Sequence, residues 1–190
     1  MIAIVNKYWD FFWKEGEKHT ILGYELFINK WNKKIICFKK PGYRPYDSKI
    51  IMDQVQALLN NVWIEKREGT WGSRIVLAAK LHQEHIQKID DFIWIMCVSY
   101  RKLNGIAKLF EFPILCCNDA IITVSARSNK ICIISLDARQ GYHQISVFYV
   151  DRGKTALFKQ DNQKYTFLVM TFSPINAPNF YSSKMKNFEE

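Results

Sequence analysis

The sequence of 190 residues predicts an α+β fold, and three observations carry that prediction. One is an amphipathic helical stretch over 48–61. Another is a set of short apolar, β-branched runs bounded by glycine and proline. The third is that the helical and strand-like segments follow one another without strict alternation. A chain of this length fits one domain, or part of a larger one, and can bury a real core.

In the first helix Ile51, Val55, Leu58, Leu59 and Val62 recur at helical spacing and give one apolar face, with Asp47 or Ser48 as the expected cap. Upstream, Pro41-Gly42 and Arg44-Pro45 force an extended, turning path into that helix. Gly69 and Gly72 break the helical pattern. Residues 75–79 then read as a strand, 92–98 as its partner, and the polar stretch 80–91 as a hairpin loop or projecting insertion. Pro113 opens a turn, and 119–124 has a helical character. The run 131–136 is wholly apolar but for Ser135, and is short enough and β-branched enough to be a buried strand. Two more strand-like runs, 154–159 and 165–170, precede a helix start at Asn176 and Pro178. Residues 1–26, with the crowded Tyr8-Trp9-Asp10-Phe11-Phe12-Trp13, carry no motif and form an N-terminal segment of unknown role. They read either as a short helix packed on the body or as sequence foreign to the domain.

Composition narrows the class. Hydrophobic residues at 48% and charged residues at 24% are a globular balance, not a disordered one. The longest apolar runs fall far short of the roughly 18 to 20 residues that span a bilayer. The apolar start, Met1 to Val5, meets Asn6, Lys7 and Asp10 before a signal-peptide core can form, so the chain reads as intracellular with no membrane partner. Five cysteines (Cys37, Cys97, Cys116, Cys117, Cys132) without a C-x-x-C pair argue against a disulfide framework or zinc knuckle. Cys97 and Cys132 lie inside apolar runs, where a thiol acts as a small hydrophobe. The 27 basic against 18 acidic residues give a net charge of +9, which suits a polyanion such as nucleic acid. A solvated basic surface suits that charge equally well, so motifs must decide.

Asp137 follows directly on the apolar run 131–136, and a carboxylate at the tip of a rigid strand can serve as a metal ligand. Taken alone it reads as a strand-end cap. The segment Asp137-Ala138-Arg139-Gln140-Gly141-Tyr142-His143-Gln144-Ile145, however, closely resembles the first catalytic motif of gypsy-type LTR retrotransposon reverse transcriptases. Further segments are similar to that family's and stand in the same order. They are Lys39-Lys40-Pro41, Trp71-Gly72-Ser73 leading into Val76-Leu77, Val98-Ser99-Tyr100-Arg101-Lys102-Leu103-Asn104, the stretch 151–156, and Phe167-Leu168-Val169-Met170 before Asn176-Ala177-Pro178. The resemblance runs from about Phe27 to the end.

The resemblance implies an incomplete polymerase right hand. Residues 27–190 would be fingers and the first part of the palm, with antiparallel palm strands and packed helices, stopping before the family's paired-aspartate motif. It implies RNA-directed DNA polymerase chemistry, with two Mg²⁺ ions bridging the incoming triphosphate and the primer 3′-oxygen. Asp137 would hold both ions and the carbonyl of Ala138 would add an oxygen ligand. Tyr142 matches the aromatic residue beneath the sugar that rejects a 2′-hydroxyl. Lys80 matches a basic residue that reaches the triphosphate, Arg101 a position on the template side, and Phe172 with Ser173 the nucleotide pocket. The implied partners are an RNA or DNA template–primer, a deoxynucleoside triphosphate and the remainder of a retroelement polyprotein.

Departures from the family pattern are equally informative. Trp94 is followed by Ile95 where an arginine is usual, so one phosphate contact is lost. The family's Pro-Phe-Gly turn is Thr171-Phe172-Ser173, and serine in place of glycine is expected to strain or narrow the pocket. Leu115-Cys116 stand where proline and arginine are common. The aromatic-x-Asp-Asp motif lies downstream of these residues, and a site with one carboxylate holds two ions weakly. Asp90-Asp91 precedes Asp137 and has Lys88 where the aromatic belongs, and Glu189-Glu190 is a charged end, so neither substitutes. His82-x-x-His85 has no further ligand at zinc-site spacing, and His143 reads as architectural. A non-catalytic nucleic-acid-binding chain and a decayed remnant remain as alternatives to an enzyme.

Overall fold

The computed structural model describes residues 23–31, 34–38, 42–80, 93–113, 121–122, 125–126, 138–158 and 163–186. The apolar run 131–136, Asp137, the stretch 81–92 with both histidines and Asp90-Asp91, residues 39–41, Leu115-Cys116 and Glu189-Glu190 lie outside them. So do residues 1–22 and the cysteines other than Cys37 and Cys97.

Helix α1 spans Pro45–Asn60 and begins earlier than the sequence pattern suggests. Pro45 causes the shift, because its preset φ and missing amide suit a first helical position, and Arg44 before it is extended at φ −63° and ψ 153°. Neither Asp47 nor Ser48 caps the helix. Asp47 instead sits in the first turn, where the helix dipole favours a carboxylate, and accepts from Arg44 at 2.8 and 3.0 Å. Ile51 and Val55 bury the inner face. The helix ends on a tight turn that takes Val62, expected on the apolar face, out of the helix: it is exposed and held at φ 55°, a conformation a β-branched residue rarely adopts. That turn reverses the chain into β2 (Ile64–Lys66).

Strand β2 pairs antiparallel with β7 (Lys164–Phe167), which in turn pairs with β6 (Leu157–Phe158), giving a three-stranded sheet in the order β2-β7-β6. The strand expected over 154–159 therefore starts later. Residues Tyr149–Thr155 form a 3₁₀ helix, held in part by the Thr155 hydroxyl donating to the Arg152 carbonyl at 2.7 Å. The run 165–170 also splits. Beyond β7 the Leu168 amide donates to Trp63 O and the Met170 amide to Ile145 O, so the chain bridges neighbouring segments and does not extend the strand.

Strands β3 (Arg74–Ala79) and β4 (Trp94–Ser99) form an antiparallel ribbon, in register from Arg74 opposite Ser99 to Ala79 opposite Trp94. Both edges of the ribbon are met by side chains. The Tyr43 phenol accepts from Ile75 N at 3.1 Å and donates to Ile75 O at 3.3 Å, while Gln54 of α1 donates to Trp94 O and accepts from Met96 N, each at 2.7 Å. Ile75 and Val98 point inward, whereas Val76, Ala78, Ile95 and Cys97 face outward. Cys97 is thus exposed rather than part of a core, because strand alternation in a two-stranded ribbon leaves one face open.

Four further elements close the body. Strand β1 (Glu25–Leu26) pairs in parallel with β5 (Ser146–Val147), α2 (Arg101–Asn104) follows β4, and α3 (Ala177–Lys186) follows the turn after Met170. Just past β1, the buried Asp151 carboxylate accepts from Ile28 N at 2.7 Å and pairs with Lys154, whose ammonium also donates to Ile28 O at 2.7 Å. Gly72 lets the Phe158 ring lie against its backbone, where a Cβ would come within 2.0 Å of the ring. Leu26, Ile51, Ile75, Tyr100, Ile145, Leu157, Phe167 and Met170 belong to one buried cluster drawn from most of these elements. Among the described residues no helix is long and apolar enough to cross a membrane.

Thr155 joins the three-stranded sheet to the end of the β3–β4 ribbon. Its hydroxyl accepts from Phe167 N at 2.9 Å, and its carbonyl accepts from the buried Tyr100 phenol at 2.8 Å. A 3₁₀ helix, Gly141–Gln144, sets His143 against Trp63, with the rings stacked 4.2 Å apart. His143 Nδ1 is buried with no hydrogen-bond partner among the described residues, and burial holds the imidazole below its usual pKa.

Thr155→Val keeps shape but leaves the Phe167 amide unpaired in the core, and is expected to cost about 1–3 kcal/mol, read from urea unfolding. For His143 the depressed folded pKa means that the unfolded chain binds the extra proton first as pH falls below about 6.5. Stability contributed by the neutral ring is therefore present above that pH and lost on acidification through the folded pKa. The drop in Tm from about pH 7.5 to 5.5 should be larger in the wild type than in His143→Gln, and equal drops would contradict it.

Candidate functional site

The turn after Asp137 delivers the motif's side chains. Ala138 is exposed, and its carbonyl, the expected oxygen ligand, accepts from Gly141 N at 3.3 Å, which uses one of its two lone pairs. Gln140 takes a left-handed conformation at φ 51°, and Gln144 donates to Arg139 O at 2.9 Å, so the turn is tied across its own length. Gly141 then opens the 3₁₀ helix. A Cβ on Gly141 would stand 2.2 Å from the Tyr181 hydroxyl, so α3 dictates glycine at that motif position.

Tyr142 is half-buried between two other aromatic rings, with centroids 5.1 Å from Phe172 and 5.0 Å from Tyr181. Burial raises the pKa of its phenol, which stays a neutral hydroxyl. Phe172 also meets His143 edge-on at 5.3 Å, yet it is 67% exposed, so one of its faces remains open to a ligand. The rings of Trp63, His143, Phe172, Tyr142 and Tyr181 make a continuous wall.

The turn bearing Phe172 is held from outside. Asn104, the last residue of α2, donates to Ser173 O at 3.0 Å and accepts from Ile175 N at 3.1 Å. Ser173 is not among the residues with positive φ, so the expectation of backbone strain from serine in place of glycine is not met. The Asn104 amide does the ordering that a tight glycine turn would otherwise do. Asn176 does not cap α3 with its side chain. That side chain accepts from Phe110 N at 3.0 Å and donates to Lys108 O at 2.7 Å, because a neighbouring chain segment offers unpaired backbone there.

The fold gathers Tyr142, Phe172 and Ser173 into one place. Lys80 and Arg101, both exposed, stand at opposite ends of the β3–β4 ribbon. Lys80 follows the Ala79–Trp94 pair, and its amide donates to Ile93 O at 2.9 Å. Ile95 is 46% exposed on the open face of the ribbon, opposite Ala78, so that face is aliphatic where the family pattern has a guanidinium. Asp137 lies outside the described residues. Among those residues no group of three His, Cys, Asp or Glu side chains could hold a metal ion. The exposed Ala138 carbonyl alone falls short of the oxygen set that Mg²⁺ needs, so the described residues do not by themselves make a metal site. Sequence reasoning missed Tyr181, Asn104 and Trp63 as parts of the site. A glycine inside the motif was the one signal that a bulky neighbour approaches there.

No family model matches the chain. In sequence it is 30% identical over 125 residues to the retrovirus-related Pol polyprotein from transposon opus of Drosophila melanogaster, a match covering 66% of this chain and 12% of that protein. In fold it is similar to a foamy viral protease-reverse transcriptase in complex with RNA/DNA hybrid, with a TM-score of 0.61 at 14% identity over 97% of this chain and 23% of that one. Native Prototype Foamy Virus protease-reverse transcriptase also matches with a TM-score of 0.61, at 15% identity over 98% of this chain and 24% of that chain. The chain thus spans a small part of the length of each relative. The ordered motifs, the sequence relationship and the shared fold together identify it as a reverse-transcriptase-like chain of the retroelement kind.

Proposed function

We propose that the chain is the fingers and first palm part of an RNA-directed DNA polymerase that works inside the cell. It would take an RNA or DNA template–primer and a deoxynucleoside triphosphate, and belong to a retroelement polyprotein. The observation that carries this reading is the aromatic wall of Tyr142, Phe172 and Tyr181, set directly after the turn that follows Asp137. A sugar and base placed against the open face of Phe172 would meet the half-buried Tyr142 edge, and a ring wedged between two others yields little to a 2′-hydroxyl. In this reading Asp137 and the Ala138 carbonyl are the Mg²⁺ ligands, Lys80 reaches the triphosphate, and Arg101 contacts the template side. Mg²⁺ would supply activation of the primer oxygen and charge neutralisation at the phosphates. The residues' own share is to hold the sugar, stack the base and order the Ser173 turn through Asn104. One carboxylate in the family's pattern cannot hold two ions well, so these 190 residues alone are proposed to be inactive.

A second reading, a non-catalytic chain that grips nucleic acid, is favoured by the net charge of +9 and by the aliphatic face at Ile95, which lacks a phosphate clamp. A decayed remnant is the third reading, and a cooperative thermal transition would count against it.

Two measurements separate these readings. In a template–primer extension assay these 190 residues should give no product. A chain continuing through an aromatic-x-Asp-Asp segment should extend, and Asp137→Asn in that longer chain should reduce extension to background. Retained extension would remove Asp137 from the site. In a binding assay, affinity for template–primer should fall steeply with salt, and Arg101→Gln should lower the slope of log K against log salt by about 1. Salt-independent binding would sink the gripping role.

A further inference from the structure

Away from the Tyr142 wall, three lysine–aromatic pairs lie on adjoining segments, with the Trp31 ring exposed and the Phe38 and Trp71 rings half-buried against the core. The segment at Lys30 and Trp31 runs antiparallel to 106–108, with Trp31 N donating to Ile106 O at 2.8 Å and Lys108 N donating to Asn29 O at 2.9 Å. This pairing sets the Lys108 ammonium over the Trp31 ring at 4.9 Å. Nearby, Phe38 N donates to Gly72 O at 3.0 Å and Gly72 N donates to Ile36 O at 3.1 Å, which brings Phe38 beside the Trp71 segment. Lys30 lies over Trp71 at 4.6 Å and Lys102 over Phe38 at 4.3 Å. Trp31 is 72% exposed, an unusual position for the largest apolar side chain unless something covers it. Among the described residues none of Lys30, Lys102 and Lys108 pairs with a carboxylate.

We propose that Lys30, Trp31, Phe38, Trp71, Lys102 and Lys108 form a stacking site for single-stranded nucleic acid. The inference goes beyond the polymerase reading and does not rest on it. Flat rings interleaved with ammonium groups match a strand that offers a base face and a phosphate at each step. An exposed lysine–tryptophan contact is weak, so a base can take the indole face while the ammonium swings to the phosphate. An acidic peptide would use the charges but leave the rings idle. That difference favours nucleic acid as the occupant.

The test uses the whole chain and a fluorescein-labelled oligodeoxythymidylate, followed by anisotropy. Trp31→Ala should weaken binding about tenfold while Trp31→Phe keeps most of the affinity, because one base loses its stacking partner in the first variant only. Lys108→Gln should lower the salt slope by about 1. Lys66→Gln, at an exposed position on β2, should leave oligothymidylate binding essentially unchanged, and the anisotropy readout does not depend on primer extension. Unchanged affinity in Trp31→Ala would overturn the proposal. So would displacement of the oligonucleotide by polyglutamate at equal charge concentration, which would mark the surface as one for acidic peptides.

Discussion

Thr155 carries more of the architecture than its size suggests. It ends the 3₁₀ helix just before β6, and it bonds within its own helix to the Arg152 carbonyl and across the fold to the Phe167 amide of β7 and the Tyr100 phenol that follows β4. Tyr100 is 1% exposed, and burial pushes its phenol far above the usual range, so it remains a neutral donor throughout physiological pH. A buried donor and acceptor that satisfy each other add modestly to stability, but losing either strands the other in the core. The β3–β4 ribbon and the three-stranded sheet are therefore locked at one point by polar bonds, with Ile75, Val98, Leu157 and Phe167 packed in one apolar cluster around it.

Side chains also stand in for strands and turns. A two-stranded ribbon has two unpaired edges, and here Tyr43 and Gln54 reach those edges with matched donor and acceptor pairs. Asp151 and Lys154 do the same for Ile28, satisfying its amide and its carbonyl from one buried ion pair. Such a pair gains little net free energy from its charges, since desolvation offsets most of the attraction. Its role is to fix the path of the chain just after β1.

The candidate site depends on the same kind of support. Asn104 holds both ends of the Ser173 turn, and Tyr181 presses on the backbone at Gly141, so Phe172 and Tyr142 are positioned by residues distant in sequence. This explains how a serine can replace glycine in the turn without a left-handed backbone. The open aliphatic face at Ile95 has no such compensation among the described residues.

The sequence by itself determined the class of the fold, the amphipathic face of α1, the β3–β4 pair and the retroelement relationship. Those features are written in local periodicity and in contiguous motifs, which need no knowledge of distant contacts. It placed the start of α1 too late and ran 154–159 and 165–170 on as strands, because Pro45 and the Thr155 hydroxyl override propensity at those points. It read Cys97 as a small hydrophobe in an apolar run, and an apolar run does not reveal that a ribbon lacks a second covering layer and leaves the thiol exposed. Only the tertiary structure decided which side chains converge on Tyr142. The contacts of Tyr181, Asn104 and Trp63 with that wall join positions tens of residues apart, and no spacing rule along the chain encodes an approach of that kind.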